Sequence, residues 1–163
     1  MNTKYTIILF VVAIFLIFCA CDNDEQCRQE NYVMMRIGFY KSVIDLNGQT
    51  NSNNTLTIAA KGANSDSLLY NNFSGQYINL PLNKFENHST FDIILNDTLE
   101  TFSVFYTINE EYLSFECGYL TTFSIDSFQI IGSYVDSISL INNSVNTQNA
   151  ENFKFYHHYD NRP

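Results

Sequence analysis

The chain has 163 residues, 17 acidic side chains against 8 basic ones, and a formal net charge of −9. That balance leaves no electrostatic footprint for nucleic acid and disfavours contact with an anionic membrane surface. With 14 Phe, 11 Tyr and no Trp, phenyl and phenol rings supply the aromatic bulk of any core.

The chain opens with a short positive start, the α-amino group and Lys4, and then runs without a polar residue from Ile7 to Phe18. As a helix this run would cover roughly 18 Å, well short of a ~30 Å hydrocarbon core. Small residues and then acids follow it, not a basic stop-transfer flank. The pattern is that of a secretory signal with a cleavage site.

Phe18-Cys19-Ala20-Cys21 resembles a bacterial lipobox, in which a small residue precedes the cysteine that is lipidated and becomes the first mature residue. The resemblance implies cleavage after Ala20 and lipid on Cys21; Phe18 stands where the pattern usually has Leu, and Cys19 where it has Ala, Ser or Thr. Residues 1–20 are then a signal peptide and residues 21–31 a lipidated tether. The next residues, Asp22-Asn23-Asp24-Glu25, resemble the acidic export tag of Bacteroidota-type surface lipoproteins, with Asp22, Asp24 and Glu25 as its charges. That implies an outer-membrane protein, lipid-anchored and facing the cell exterior. An ordinary signal peptide or an uncleaved anchor, followed by a solvated acidic linker, is the plainer alternative.

Loss of the signal keeps all 17 acids and leaves a chain long enough for one domain with a sizeable core. Of the four cysteines, Cys19 leaves with the signal and Cys21 takes lipid, so Cys27 and Cys117 remain. Two cysteines in an exported chain most simply form one disulfide. Closing a loop of about 90 residues contributes roughly 4–5 kcal/mol in the chain-entropy picture. Free thiols or a metal pair are the alternatives, although no histidine or cysteine cluster supports a metal site.

Beyond the tether no window has helical periodicity. Short aromatic and β-branched runs alternate with Asn, Ser, Gly and Asp turns, which is an all-β pattern. The expected strands are Tyr32–Tyr40, with Gly38 marking a bulge or a close backbone approach, then Thr55–Ala60, Ser67–Tyr70 and Tyr77–Leu82. A polar loop with an Asn47-Gly48 turn fills Asp45 to Asn54. Thr90–Asn96 alternates, with Phe91, Ile93 and Leu95 on one face. Asn96-Asp97 turns the chain into Leu99–Ile108, which aligns Phe102, Val104, Tyr106 and Ile108. Asn109-Glu110 is read as a turn into Tyr112–Cys117, and Gly118 as a bend into Tyr119–Phe128. Gln129–Ile131, Tyr134–Ile141 and Phe153–His158 complete the set, with a polar loop over Asn142 to Asn152.

About nine closely spaced, half-apolar strands over residues 32–158 have to bury one face against a second layer. The expected fold is an all-β, two-layer antiparallel β-sandwich, followed by a short tail, 159–163. An immunoglobulin-like topology fits, without its Trp landmark, and a barrel is the alternative.

Several short pieces point to a specific group: the acidic tag with Cys27, Ile37-Gly38-Phe39-Tyr40, Asn79-Leu80-Pro81-Leu82, Phe115-Glu116-Cys117-Gly118, and Asp136-Ser137-Ile138 leading to Glu151-Asn152-Phe153-Lys154. Through them the chain, from Cys21 to about Tyr156, resembles small uncharacterised Bacteroidota lipoproteins that share a domain of unknown function. The resemblance implies the same address and the same Cys27–Cys117 pairing, and it brings no activity.

No ordered catalytic motif is present. His88, Ser89 and Glu86 assemble a hydrolytic set only on paper, without a nucleophile-elbow frame. His157-His158 with Asp160 is poorly placed for one ion, because neighbours on a strand point to opposite faces. Glu100, Glu110, Glu111 and Glu116 offer carboxylates without a defined pair. Asp45-Leu46-Asn47-Gly48 carries only part of a calcium loop. Asp66-Ser67-Leu68, Asp97-Thr98-Leu99, Asp126-Ser127-Phe128 and Asp136-Ser137-Ile138 resemble O-glycosylated sites of exported proteins in such bacteria. Tyr70, Phe73 and Tyr77 cluster around polar residues and are the candidate ligand platform.

The expectation is a non-catalytic surface lipoprotein with a structural or protein-interaction role, needing no cofactor or metal. Its partners are the membrane, through its lipid, and other surface proteins or glycans, and not nucleic acid. A glycan-binding module and a hydrolase are the alternatives.

Overall fold

Among the described residues, eleven strands whose side chains alternate in and out of a shared core build two sheets. The computed structural model describes residues 33–158 except 46–47, 54–55, 63–66 and 116. In chain order the strands are β1 (Met35–Asp45), β2 (Gly48–Asn53), β3 (Leu56–Gly62), β4 (Leu68–Gly75), β5 (Tyr77–Leu80), β6 (His88–Leu95), β7 (Thr98–Ser114), β8 (Gly118–Ile131), β9 (Val135–Leu140), β10 (Ser144–Val145) and β11 (Glu151–His158). There is no helix among the described residues, so the all-β, two-layer expectation holds.

β1 is the spine of the first sheet, whose order is β2-β1-β11-β9. One of its edges is shared end to end, by β5 opposite Met35–Gly38 and by β2 opposite Tyr40–Asp45. Its other edge pairs in parallel with β11, for example Phe39 with Phe155. The sheet is therefore mixed, where the sequence pattern led to an antiparallel expectation. The first and last strands are joined by no hairpin, so no local turn imposes an antiparallel pairing on them. The second sheet, β10-β8-β7-β6-β3-β4, is antiparallel throughout.

The core lies between the layers. Met35, Ile37, Phe39, Ile78, Leu80, Phe153 and Phe155 of the first sheet face Ile58, Phe91, Ile93, Leu95, Phe102, Val104 and Tyr106 of the second, all buried. Phe102 sits at the centre, edge-on to Phe153 at 5.2 Å and to Phe155 at 5.1 Å. Such edge-to-face contacts let phenyl rings fill the space that a Trp fills in other sandwiches.

Some local expectations are confirmed. Asn96 and Asp97 have φ values of 45° and 68° and form the two-residue turn between β6 and β7. Pro81 falls just past the last residue of β5, where no ladder donor is needed. Others are corrected. Residues 50–53, read as loop, pair with β1 as part of β2, which ends the order of the first sheet. Asn71 to Gly75 continue β4, with a bulge at Asn71-Asn72 where Asn72 has φ 48°. Asn109 and Glu110 are no turn: they pair with Thr122 and Thr121, and β7 continues to Ser114 with register shifts after Phe105 and after Tyr112. The chain reverses later, between Ser114 and Gly118, where Gly118 has φ 68° and Cys117 N–H donates to Ser114 Oγ at 3.0 Å.

Candidate functional site

The long β7–β8 hairpin is the feature that departs most from a closed sandwich. β6 pairs with β7 only as far as Phe105, and β10 pairs with β8 only at Phe123 and Ser124. From Asn109 to Thr122 the hairpin is thus a two-stranded ribbon, about 20 Å long at ~3.3 Å per residue. Such ribbons are marginal alone. Here Tyr112 and Tyr119 face each other across it, rings 5.4 Å apart and near-perpendicular. Its end carries unburied apolar groups: Phe115 is 95% exposed, Tyr119 64%, Tyr112 56% and Leu113 36%. The apolar residues of the expected Tyr112–Cys117 strand are left uncovered, because among the described residues no second sheet reaches this far.

Cys117 lies in the turn of this ribbon and is disulfide-bonded. The chain's other cysteines, Cys19, Cys21 and Cys27, lie outside the described residues, as do the acidic residues Asp22, Asp24 and Glu25 and the tail 159–163.

The three platform residues are not brought into one plane. Tyr70 and Phe73 of β4 are tilted by 53° with centroids 5.3 Å apart. The Tyr70 hydroxyl donates to Asn79 O and accepts from Asn79 N–H at 2.9 Å, which ties β4 to β5. Tyr77 lies instead in the first sheet, beneath the Arg36 guanidinium at 4.4 Å.

That arrangement around Tyr77 was signalled in the sequence only by Gly38. A Cβ on Gly38 would run into Glu151 Oε1 and come within 2.9 Å of the Tyr40 and Tyr77 rings. Glycine here lets these side chains close over the outer face of β1. Tyr40 donates to Glu151 Oε1 at 2.8 Å and lies 3.3 Å from the Tyr77 hydroxyl, while Lys154 Nζ sits 5.0 Å above its ring. The cluster is closed on itself and stiffens the sheet.

A cleft of about 370 Å³ opens where Glu86, His88 and Ser89 were noted, between Leu69, Pro81, Asn83 and Phe91. Ser89 Oγ accepts from Asn83 N–H at 2.9 Å and shares a 2.7 Å bond with the Tyr106 hydroxyl, which donates to Asn83 O at 2.8 Å. With Tyr106's proton on Asn83 O, the Ser89 proton goes to Tyr106. His88 neighbours Ser89 on the strand, stacks on Phe105 and has Glu86 at 3.8 Å. The serine therefore anchors the 83–87 loop, and no base is directed at it.

The remaining candidates are dispersed. Glu110 and Glu111 are consecutive and exposed on the ribbon. Glu100 is fully buried and accepts from Ser133 N–H at 2.8 Å and Tyr134 N–H at 2.6 Å, closing the β8–β9 turn. His157 is buried against the Tyr134 ring, centroids 5.1 Å apart. Among the described residues no group of three or more His, Cys, Asp or Glu is placed to hold a metal ion.

Burial raises the phenol pKa of Tyr40, with further upward pushes from its hydrogen bonds to Tyr77 and Glu151 and from the Glu151 charge. Burial likewise raises Tyr106 against its bonds to Ser89 and Asn83, and Tyr134 against its bond to Asn96. Unfolded tyrosine ionises near pH ~10, so the stability held in these neutral phenols is intact below that pH and is lost as pH rises through their folded values. An ultraviolet tyrosinate titration is expected to show a late fraction that ionises together with loss of the β-sheet circular dichroism. Ionisation of every tyrosine in one early step, with the fold intact, would contradict this.

No curated protein and no solved structure matches the chain significantly. A family model does match, described as a family of unknown function, DUF6452, over residues 55–157. The match starts later than Cys21, so the tether and the first two strands fall outside it. It takes in β3 to all but the end of β11, which is the whole second sheet with its ribbon and the β5, β9 and β11 strands of the first, and on that match the chain belongs to the DUF6452 family.

Proposed function

We propose that the protein is an exported lipoprotein, held in the outer membrane by acyl chains on Cys21 and facing the cell exterior, with a non-catalytic role in binding other envelope components. The observation that carries this reading is the bonded state of Cys117. Disulfides persist in oxidising compartments, and the only other cysteines in the chain lie between residues 19 and 27. With Cys21 acylated and Cys19 removed, Cys27 is the partner, and the bridge ties the ribbon to the tether. The signal-like run, the lipobox-like Ala20-Cys21 and the acidic tag support the same address, as the Bacteroidota resemblance does. The engagement of Ser89 with Asn83 and Tyr106 supports a binding role over hydrolysis.

More than one acyl chain makes attachment stable. Labelled palmitate is therefore expected on the wild-type protein and not on a Cys21→Ala variant, which should move from the membrane fraction to the soluble one. Failure of the wild type to take label, or equally firm membrane binding by the variant, would overturn the reading. Protease shaving of intact cells checks the orientation: digestion is expected, and full protection would place the protein on the inner side.

A further inference from the structure

We infer that the free end of the β7–β8 ribbon is a membrane-contacting wedge, which dips Phe115, Tyr112, Tyr119 and Leu113 into the interface of the bilayer that holds the anchor. The inference rests on the lipid-anchored reading and adds a second, non-covalent contact to it.

Position is the first argument. A Cys27–Cys117 bridge places the ribbon's turn six residues from Cys21 in sequence, a span of at most roughly 20 Å of extended chain. The ribbon cannot then stand far from the acyl chains. The two-stranded segment also points away from the opposite end of the sandwich, where the Asn96-Asp97 turn and Ile131 lie.

Shape is the second. Tyr112 and Tyr119 are paired across the ribbon, Leu113 is the unpaired residue of the bulge that follows them, and Phe115 is in the turn. Exposed apolar groups along both strands and in the turn give the ribbon a narrow apolar tip, a wedge, where a protein partner would cover a broad flat patch. Tyrosine and other amphipathic rings settle at headgroup level, with the ring in the apolar zone and the hydroxyl in the wet one.

Charge is the third, and it selects the lipid. Glu110 and Glu111 precede Tyr112 directly, both exposed, Glu116 follows Phe115 in the sequence, and no lysine or arginine lies between Phe102 and Ile131. The wedge has no means of attracting anionic headgroups, and its acids limit the depth of entry. The surface it fits is zwitterionic.

The absence of Trp from the chain gives a clean test. Full-length lipidated protein carrying Phe115→Trp is reconstituted in phosphatidylcholine vesicles whose acyl chains are brominated near the headgroup. A second preparation carries Ile131→Trp, at the far end of β8, where the native side chain is 68% exposed. Both sites are exposed, so neither change threatens folding. Flotation with the vesicles, a blue-shifted and largely quenched emission from Phe115→Trp, and an unquenched emission from Ile131→Trp are expected. Replacing part of the phosphatidylcholine with phosphatidylglycerol should weaken the quenching. Protein that floats while Phe115→Trp stays unquenched overturns the wedge and leaves the anchor standing, with the ribbon end then free for a protein partner or covered by the tether. Protein that does not float overturns the anchor and the wedge together.

Discussion

Replacing Phe102 with alanine is expected to lower the stability of the folded chain by about 3–5 kcal/mol, the range for removing a large ring from a packed core. The residue is fully buried and touches three other rings, Phe153, Phe155 and Phe128, with centroids 5.2, 5.1 and 6.5 Å away. It belongs to β7, while Phe153 and Phe155 belong to β11, so the cavity would open between the two sheets and neither could close it without sliding on the other. A domain of this size is stable by only ~5–15 kcal/mol, so the loss takes a large share of the total. Urea unfolding followed by circular dichroism reads it as a lowered midpoint at unchanged slope. Phe85→Ala is the matched comparison: that ring is 84% exposed, and its removal should stay within about 0.5 kcal/mol. Similar effects at the two positions would mean that the sheets do not pack through Phe102.

The second large effect is expected at Gly132. It stands between β8 and β9 beside the buried Glu100 carboxylate, and an added Cβ would collide with the Glu100 Oε1, Oε2 and Cδ atoms. Glu100 would have to swing away, and the N–H groups of Ser133 and Tyr134 would lose the oxygen that now accepts both. Hydrogen bonds to a charged group contribute about 1.5–3 kcal/mol each, so Gly132→Ala should cost about 3 kcal/mol. The mechanism makes a sharper demand than the size of the loss. In a Glu100→Ala background the collision is gone, and Gly132→Ala should then cost little. A double-mutant cycle measures this coupling directly. Full additivity of the two changes would place the cost of the methyl group elsewhere, in the backbone of the turn.

Both positions show where sequence reading reaches and where it stops. The period-two alternation of Phe91, Ile93 and Leu95, and of Phe102, Val104 and Tyr106, was enough to place these residues on inner faces, and all are buried. Side-chain direction along a strand is a local property. Gly38 was legible as a close approach for a similar reason, but the Tyr40, Tyr77 and Glu151 side chains that meet above it come from three strands. The buried role of Glu100 was not legible, since a carboxylate on a strand is ordinarily solvated and its partners lie 33 and 34 residues further along. The Glu86, His88 and Ser89 group was legible as residues and misleading as chemistry. Only the bond from Ser89 to Tyr106, 17 residues away, shows that the hydroxyl is already engaged.

Composition and patterning by themselves determined that this chain is an all-β domain with a phenyl-rich core, because alternation and turn chemistry are written residue by residue. They also supplied the proposed address, because a signal-like run and a lipobox-like cysteine are contiguous motifs. Tertiary structure alone decided that the first and last strands lie parallel, that β7 and β8 outrun the sandwich, and that Phe115 is left in the open. The physical reason is the same for all three. Whether an apolar residue is buried depends on whether another layer arrives to cover it, and the layer that would cover the end of the ribbon comes from no strand among the described residues.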